Sequence, residues 1–264
     1  SAKNVDVISR IKNINSLKRA KPTIVLFPPM QAVNEYMKDE NLIVEDELFR
    51  GIEFGLKWKL CKASKLPDDT PVTDIIYTRF DLKVTNWMDG YKMVRMGHNL
   101  ESSSFEPCIL KYEDIKKIRQ PELIVDWEKT NERFNRINEI FGDILTVVKG
   151  VPFTSTCGWG ESMIDQFVEM RGLEQTYYDL VDAPEFVHEV MNFMTEAKLK
   201  LLEQYKEQNL LVLNNGENIL GSSSFGFCDE LPGDNFDPLR ISEKNLWVFA
   251  QAQEFAHVSP EMLE

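Results

Sequence analysis

Two short apolar runs constrain this chain most: Asp143-Ile144-Leu145-Thr146-Val147-Val148 and Leu210-Leu211-Val212-Leu213. Neither alternates with polar residues, so each suits a strand covered on both faces, as in a parallel sheet. Between them lie a loop and helical patterns over 163–170, 173–181 and 184–208, the last opening with Pro184 in its first turn. Strand, loop, helices, strand is a βαβ unit, whose two strands lie parallel with a right-handed crossover. The expected class is α/β. Ligands in such folds sit at the carboxyl ends of the strands, here the loops after Val148 and Leu213.

The flanking segments fit the same class. In 45–64, Phe49, Ile52, Phe54, Leu56 and Leu60 recur at helical spacing behind the acidic start Glu45-Asp46-Glu47, which marks an amphipathic helix. Thr23-Ile24-Val25-Leu26-Phe27 reads as a strand stopped by Pro28-Pro29, and 72–80 with 82–87 as two strands of a hairpin. Residues 112–118 and 126–141 read as helices, the second closed by Gly142. Near the end, Ser259-Pro260-Glu261 announces a further helix, so the natural protein is expected to continue beyond Glu264. The missing initiator Met likewise suggests a processed, tagged or cut start.

Composition excludes several classes of partner. The 264 residues are 43% hydrophobic, enough for a sizeable core without disulfides or a structural metal. No stretch approaches the ~20 apolar residues of a membrane span, and no secretory signal is visible. With 30 Lys+Arg against 43 Asp+Glu the net charge is −13, which disfavours nucleic acid. Cys61, Cys108, Cys157 and Cys228 form no CxxC pair and read as reduced thiols, so a cytoplasmic protein is expected.

Chemistry is sparse. The first loop offers Phe153, Thr154, Cys157 and Trp159; the second offers Asn214, Asn215, Glu217, Asn218 and Ser222. Both suit a polar small molecule held over an aromatic wall, although Gly and Ser there also serve turns and Trp159 also suits a core. His98, His188 and His257 lack HExxH, His-x-Cys or CxxC spacing, so no metal ligand set is assigned. GxGxxG, GxxxxGK[ST] and GxSxG are absent. Of the adjacent carboxylates Asp68 and Asp69 before the strand at 72, alternation sends one to each side, and Asp69 is the candidate to orient or protonate a ligand. The alternative leaves both in solvent.

Gly150-Val151-Pro152-Phe153-Thr154 after a buried strand resembles a segment of the uroporphyrinogen decarboxylase superfamily. Asp182-Ala183-Pro184-Glu185-Phe186-Val187-His188-Glu189-Val190-Met191 is similar to a helix of that superfamily, and Gln253 through Met262 with its Val258-Ser259-Pro260-Glu261-Met262 is similar to a segment of its methyltransferase-like branch. The resemblance implies a (β/α)8 TIM barrel over 1–264, a single domain truncated after Glu264. It implies methyl transfer between a corrinoid protein and a thiol acceptor, with Asp69 catalytic and facing the cleft, Asp68 facing outward, and Phe153, Cys157, Trp159, Asn214, Asn215 and Ser222 at the substrate. Zinc and a corrinoid belong to the full-length protein on this view, the zinc ligands lying on later strands, and this chain alone holds neither tightly. The open sheet edges of a partial barrel would need helices or another chain, as in a homo-oligomer. The alternatives are decarboxylation of a porphyrinogen-like or aromatic acid, and a non-catalytic binding barrel. The family's arginine-rich propionate grip has no counterpart here, and Asn214-Asn215 replaces its Asp-Ser pair.

Overall fold

Helix α7, Pro184–Glu207, is the spine of the molecule. It buries Phe186, Val187, Val190, Met194, Ala197, Leu201, Leu202 and Tyr205 at intervals that keep one stripe inward along a span of about 36 Å. Its first half joins a core with Trp87, Ile109, Phe167 and Met170, and its second half joins Leu123, Leu210, Leu211 and Leu246. The computed structural model describes residues 1–38, 42–95, 103–152, 162–220, 225–248 and 255.

The other helices are α1 (Ala2–Asn15), α2 (Met30–Tyr36), α3 (Glu47–Lys65), α4 (Trp127–Phe141), α5 (Met163–Arg171) and α6 (Leu173–Asp182). Their ends follow local chemistry. The Asp46 carboxylate accepts from the Phe49 N–H to start α3, the Asp126 carboxylate accepts from the Lys129 N–H to start α4, and Gly142 closes α4. The expected helix over 112–118 is a 3-10 turn, Tyr112–Lys117. Helix α1 is clasped from far along the chain: Val7 and Ile11 pack on Phe225, and the Asn15 amide donates to the Phe225 and Phe227 carbonyls at 2.9 and 2.8 Å.

The strands do not form a (β/α)8 barrel. Among the described residues there are three separate ladders of two strands. The parallel one joins β1 (Ile75–Thr78) to β6 (Thr146–Lys149), with Ile75 opposite Thr146. The antiparallel ones join β2 (Leu82–Val84) to β5 (Leu123–Val125), and β3 (Met93–Arg95) to β4 (Ser103–Phe105). The expected hairpin of β1 and β2 is therefore absent, since each pairs elsewhere. Residues 210–213 are not in a ladder either. Leu210, Leu211 and Val212 are buried, but Val212 packs against Gly150 rather than continuing the sheet. Residues 23–27 also lie outside a ladder, because carboxylates take the place of a neighbouring strand: Ile24 N–H donates to Asp69 and Leu26 N–H to Asp68.

A buried ion pair binds α5 to α6. Arg171 Nε and Nη2 meet the Asp179 carboxylate at 2.6 and 3.1 Å, and Nη1 donates to the Ile109 carbonyl at 2.9 Å. The guanidinium also lies over the Tyr112 and Phe186 rings at 5.4 and 5.3 Å. Burial pushes the Asp179 carboxyl up, but Arg171, Gln175 and Tyr112 outweigh it and hold it below its ordinary value.

Two predictions follow from these contacts. Gly150 has φ 94°, and a Cβ there would lie 2.3 Å from the Phe80 ring and 2.6 Å from Val212. Gly150→Ala should therefore lose about 1–3 kcal/mol in urea unfolding; an unchanged midpoint would contradict this packing. For Asp179, a lowered native pKa gives stabilisation that is complete above the unfolded value near ~3.9 and is lost as pH falls through the native value. Asp114, brought down to about 2 by Lys117 and by the Lys111 and Leu110 N–H groups, has the same sign. Thermal midpoints should fall as pH drops below ~4, and Asp179→Asn should weaken that fall while costing about 3–5 kcal/mol at neutral pH.

Candidate functional site

Helix α3 has an apolar stripe, yet none of its 19 residues is buried. Between it and β1 lies a cleft of about 810 Å³, within the ~300–1,000 Å³ typical of small-molecule sites. Leu48, Ile52 and Leu56 of α3 form one wall; Ile75 and Tyr77 of β1, with Phe80 and Leu82 beyond it, form the other. Gly51 and Gly55, one turn apart on α3, also line the space, and a Cβ on either would meet no atom within 4 Å. A helical glycine costs about 0.5–1 kcal/mol relative to alanine, so the wall of the cleft carries a cost in helix stability that packing does not require.

Along β1, Ile76 and Thr78 are buried and Ile75 and Tyr77 half-buried, and all four border the cleft together with Arg79 just beyond the strand. Polar groups are grouped along this face. Lys59 Nζ lies 3.2 and 3.3 Å from the two Glu217 carboxylate oxygens and donates to the Ile75 carbonyl at 3.1 Å. The Thr73 hydroxyl donates to the same carboxylate. Burial pushes the Tyr77 hydroxyl up, partly opposed by Asn218 and reinforced by Glu217, so Tyr77 is a protonated donor at neutral pH. Arg133 pairs with Asp81 at 2.8 Å and donates to the Arg79 carbonyl at 2.9 Å. The Arg79 guanidinium is exposed, and among the described residues it has no hydrogen-bond or ion-pair partner.

The residues expected at the site are dispersed. The Asp69 carboxylate accepts from Arg10 at 2.7 Å and from the Ile24 N–H at 2.9 Å. The Arg10 hydrogen bond, against the opposing effect of burial, holds that carboxyl below its ordinary value, which suits an ionised anchor rather than a proton donor. The expected orientation of the pair is reversed. Asp68 is the buried member, 4% exposed, receiving the Leu26 N–H, the Thr70 hydroxyl and Lys62. Neither carboxylate lines the cleft. Asn214 is fully buried; its amide donates to the Trp247 carbonyl at 2.9 Å and accepts from the Trp247 N–H at 2.8 Å. The Asn215 amide donates to the Leu231 carbonyl. Phe153, Cys157, Trp159 and Ser222 lie outside the described residues.

The loop after Leu213 thus reaches the cleft through Glu217 rather than through the asparagines. Lys59, Tyr77, Arg79 and Arg133 escaped the sequence, but Gly51 and Gly55 were a readable signal, being helix breakers at i, i+4 in an otherwise strong helical pattern. His188 is exposed on α7, His98 and His257 lie outside the described residues, and among the described residues no three His, Cys, Asp or Glu side chains converge as a metal site requires.

Because the Asn214 amide satisfies both backbone groups of Trp247, Asn214→Leu should lower stability by about 2 kcal/mol or more in urea unfolding. Unchanged stability with lost ligand binding would return this residue to the substrate. Among the described residues no helix is long and apolar enough to cross a membrane. Comparison of the chain with protein-family models, with curated proteins and with solved structures finds no match.

Proposed function

We propose that this chain is an enzyme that binds a small organic molecule in the cleft between α3 and β1 and transfers a methyl group between a corrinoid protein and a thiol acceptor. One observation carries the binding half: a cleft of about 810 Å³ with apolar walls and a few convergent polar groups, bordered by two helical glycines. The reaction class is supported by the resemblance of 150–154 and 182–191 to the uroporphyrinogen decarboxylase superfamily and of 253–262 to its methyltransferase-like branch.

The chain's own residues supply binding and orientation. The apolar walls exclude water around a ligand, which strengthens its polar contacts. Tyr77 offers a hydroxyl donor, and the Lys59–Glu217 pair fixes the loop that borders it. A corrinoid would serve as methyl source when its carrier protein docks.

The assay is thioether formation from methylcobalamin and a small organic thiol. The S–CH3 bond forms as the Co–CH3 bond breaks, its electron pair remains with cobalt, and the thiol proton passes to solvent. The full chain should accelerate this, and Gly55→Leu, which fills the cleft without breaking the helix, should remove the acceleration with the circular dichroism unchanged. No acceleration by the wild type would reject methyl transfer. Full acceleration in Gly55→Leu would reject the cleft as its site.

A further inference from the structure

The cleft contains three cations, Lys59, Arg79 and Arg133, and two carboxylates, Asp81 and Glu217. Two of the cations are committed. Lys59 is held by Glu217, and Arg133 by Asp81. Among the described residues Arg79 is left over, two residues beyond Tyr77, so about 6–7 Å separates the two positions. On a chain of net charge −13, most of the surface repels anions. This unpaired guanidinium at an apolar cleft is a place where the local sign reverses.

We propose that the cleft is selective for an organic monoanion, its apolar body lying between α3 and β1 and its charged group held by Arg79. The inference rests on the cleft being a ligand site. One uncompensated positive charge matches one negative charge. The planar guanidinium fork matches a carboxylate or sulfonate by paired hydrogen bonds, which a lysine could not reproduce. Leu48, Ile52 and Leu56 give the body of such a ligand an apolar wall, and the Tyr77 hydroxyl offers it a second, uncharged donor. A neutral ligand would leave the Arg79 guanidinium without an anion, and a dianion would find no second free cation among the described residues of the cleft.

The test is fluorescence titration of the full chain with two probes of nearly one shape: 8-anilinonaphthalene-1-sulfonate, a monoanion, and N-phenyl-1-naphthylamine, its neutral counterpart. The sulfonate should bind about tenfold or more tightly than the neutral probe, the scale of one charge-assisted hydrogen bond. Arg79→Gln should abolish that preference while leaving neutral-probe binding unchanged, and added salt should weaken only the sulfonate. Equal affinity for the two probes, or a preference that survives Arg79→Gln, overturns the anion assignment. Gly55→Leu separates this from failure of the cleft itself: binding of both probes that survives that substitution places them elsewhere and removes the ligand site on which the inference rests.

Discussion

The Arg171–Asp179 pair is the contact on which the helical half of the molecule depends. It sits where α5 ends and α6 turns back, and its third guanidinium donor reaches the Ile109 carbonyl, so one cation joins two helices and an extended segment. Neighbouring backbone contacts reinforce the junction, with the Cys108 and Ile109 N–H groups both donating to the Met170 carbonyl. Placing two charges in a low-dielectric interior gives little net stability by itself. Its effect is specificity. Any alternative packing of α5 on α6 would strand a charge, so the orientation of these helices, and of α7 that packs on them, is set by electrostatics as much as by the apolar core.

Five of the seven helices among the described residues were legible because their determinants are local, while α1 and α2 went unread. Periodicity located α3, α4, α5, α6 and α7 to within a few residues, and the caps at Asp46, Asp126 and Gly142 are visible as residue types at the right offsets. The ladders were not legible, because a strand's partner is chosen by distant parts of the chain. Residues 23–27 have strand composition, yet their N–H groups are satisfied by Asp68 and Asp69, some forty residues on. Residues 210–213 are as apolar as a central strand and are buried like one, but burial alone does not make a ladder. A barrel inferred from such runs counts strands that the hydrogen bonding does not supply.

The site was hidden for a related reason. Asn214-Asn215-Gly216 suits a ligand loop and suits a turn equally, and the deciding partner of Asn214 is the backbone of Trp247, 33 residues away. The side chains that line the cleft come from α3, β1, α4 and the loop at Glu217, and no spacing links them. What the sequence did display was a cost: two glycines on one face of a helix that would be firmer without them. Departures from local preference are where function is to be sought.

The clasp on α1 has a consequence for biosynthesis. The Asn15 amide finds the Phe225 carbonyl across 210 residues of chain, so α1, which meets Asp69 and Val72 earlier, lacks this part of its seat until Phe225 has left the ribosome. At about 5–20 residues per second the delay is on the order of 10 s or more. Throughout it, the face carrying Val7 and Ile11 lacks Ile219, Phe225 and Phe227. Helix α1 is thus made well before the residues that complete its seat, and in the interval a nascent chain carries an incompletely covered apolar face for which a chaperone would compete.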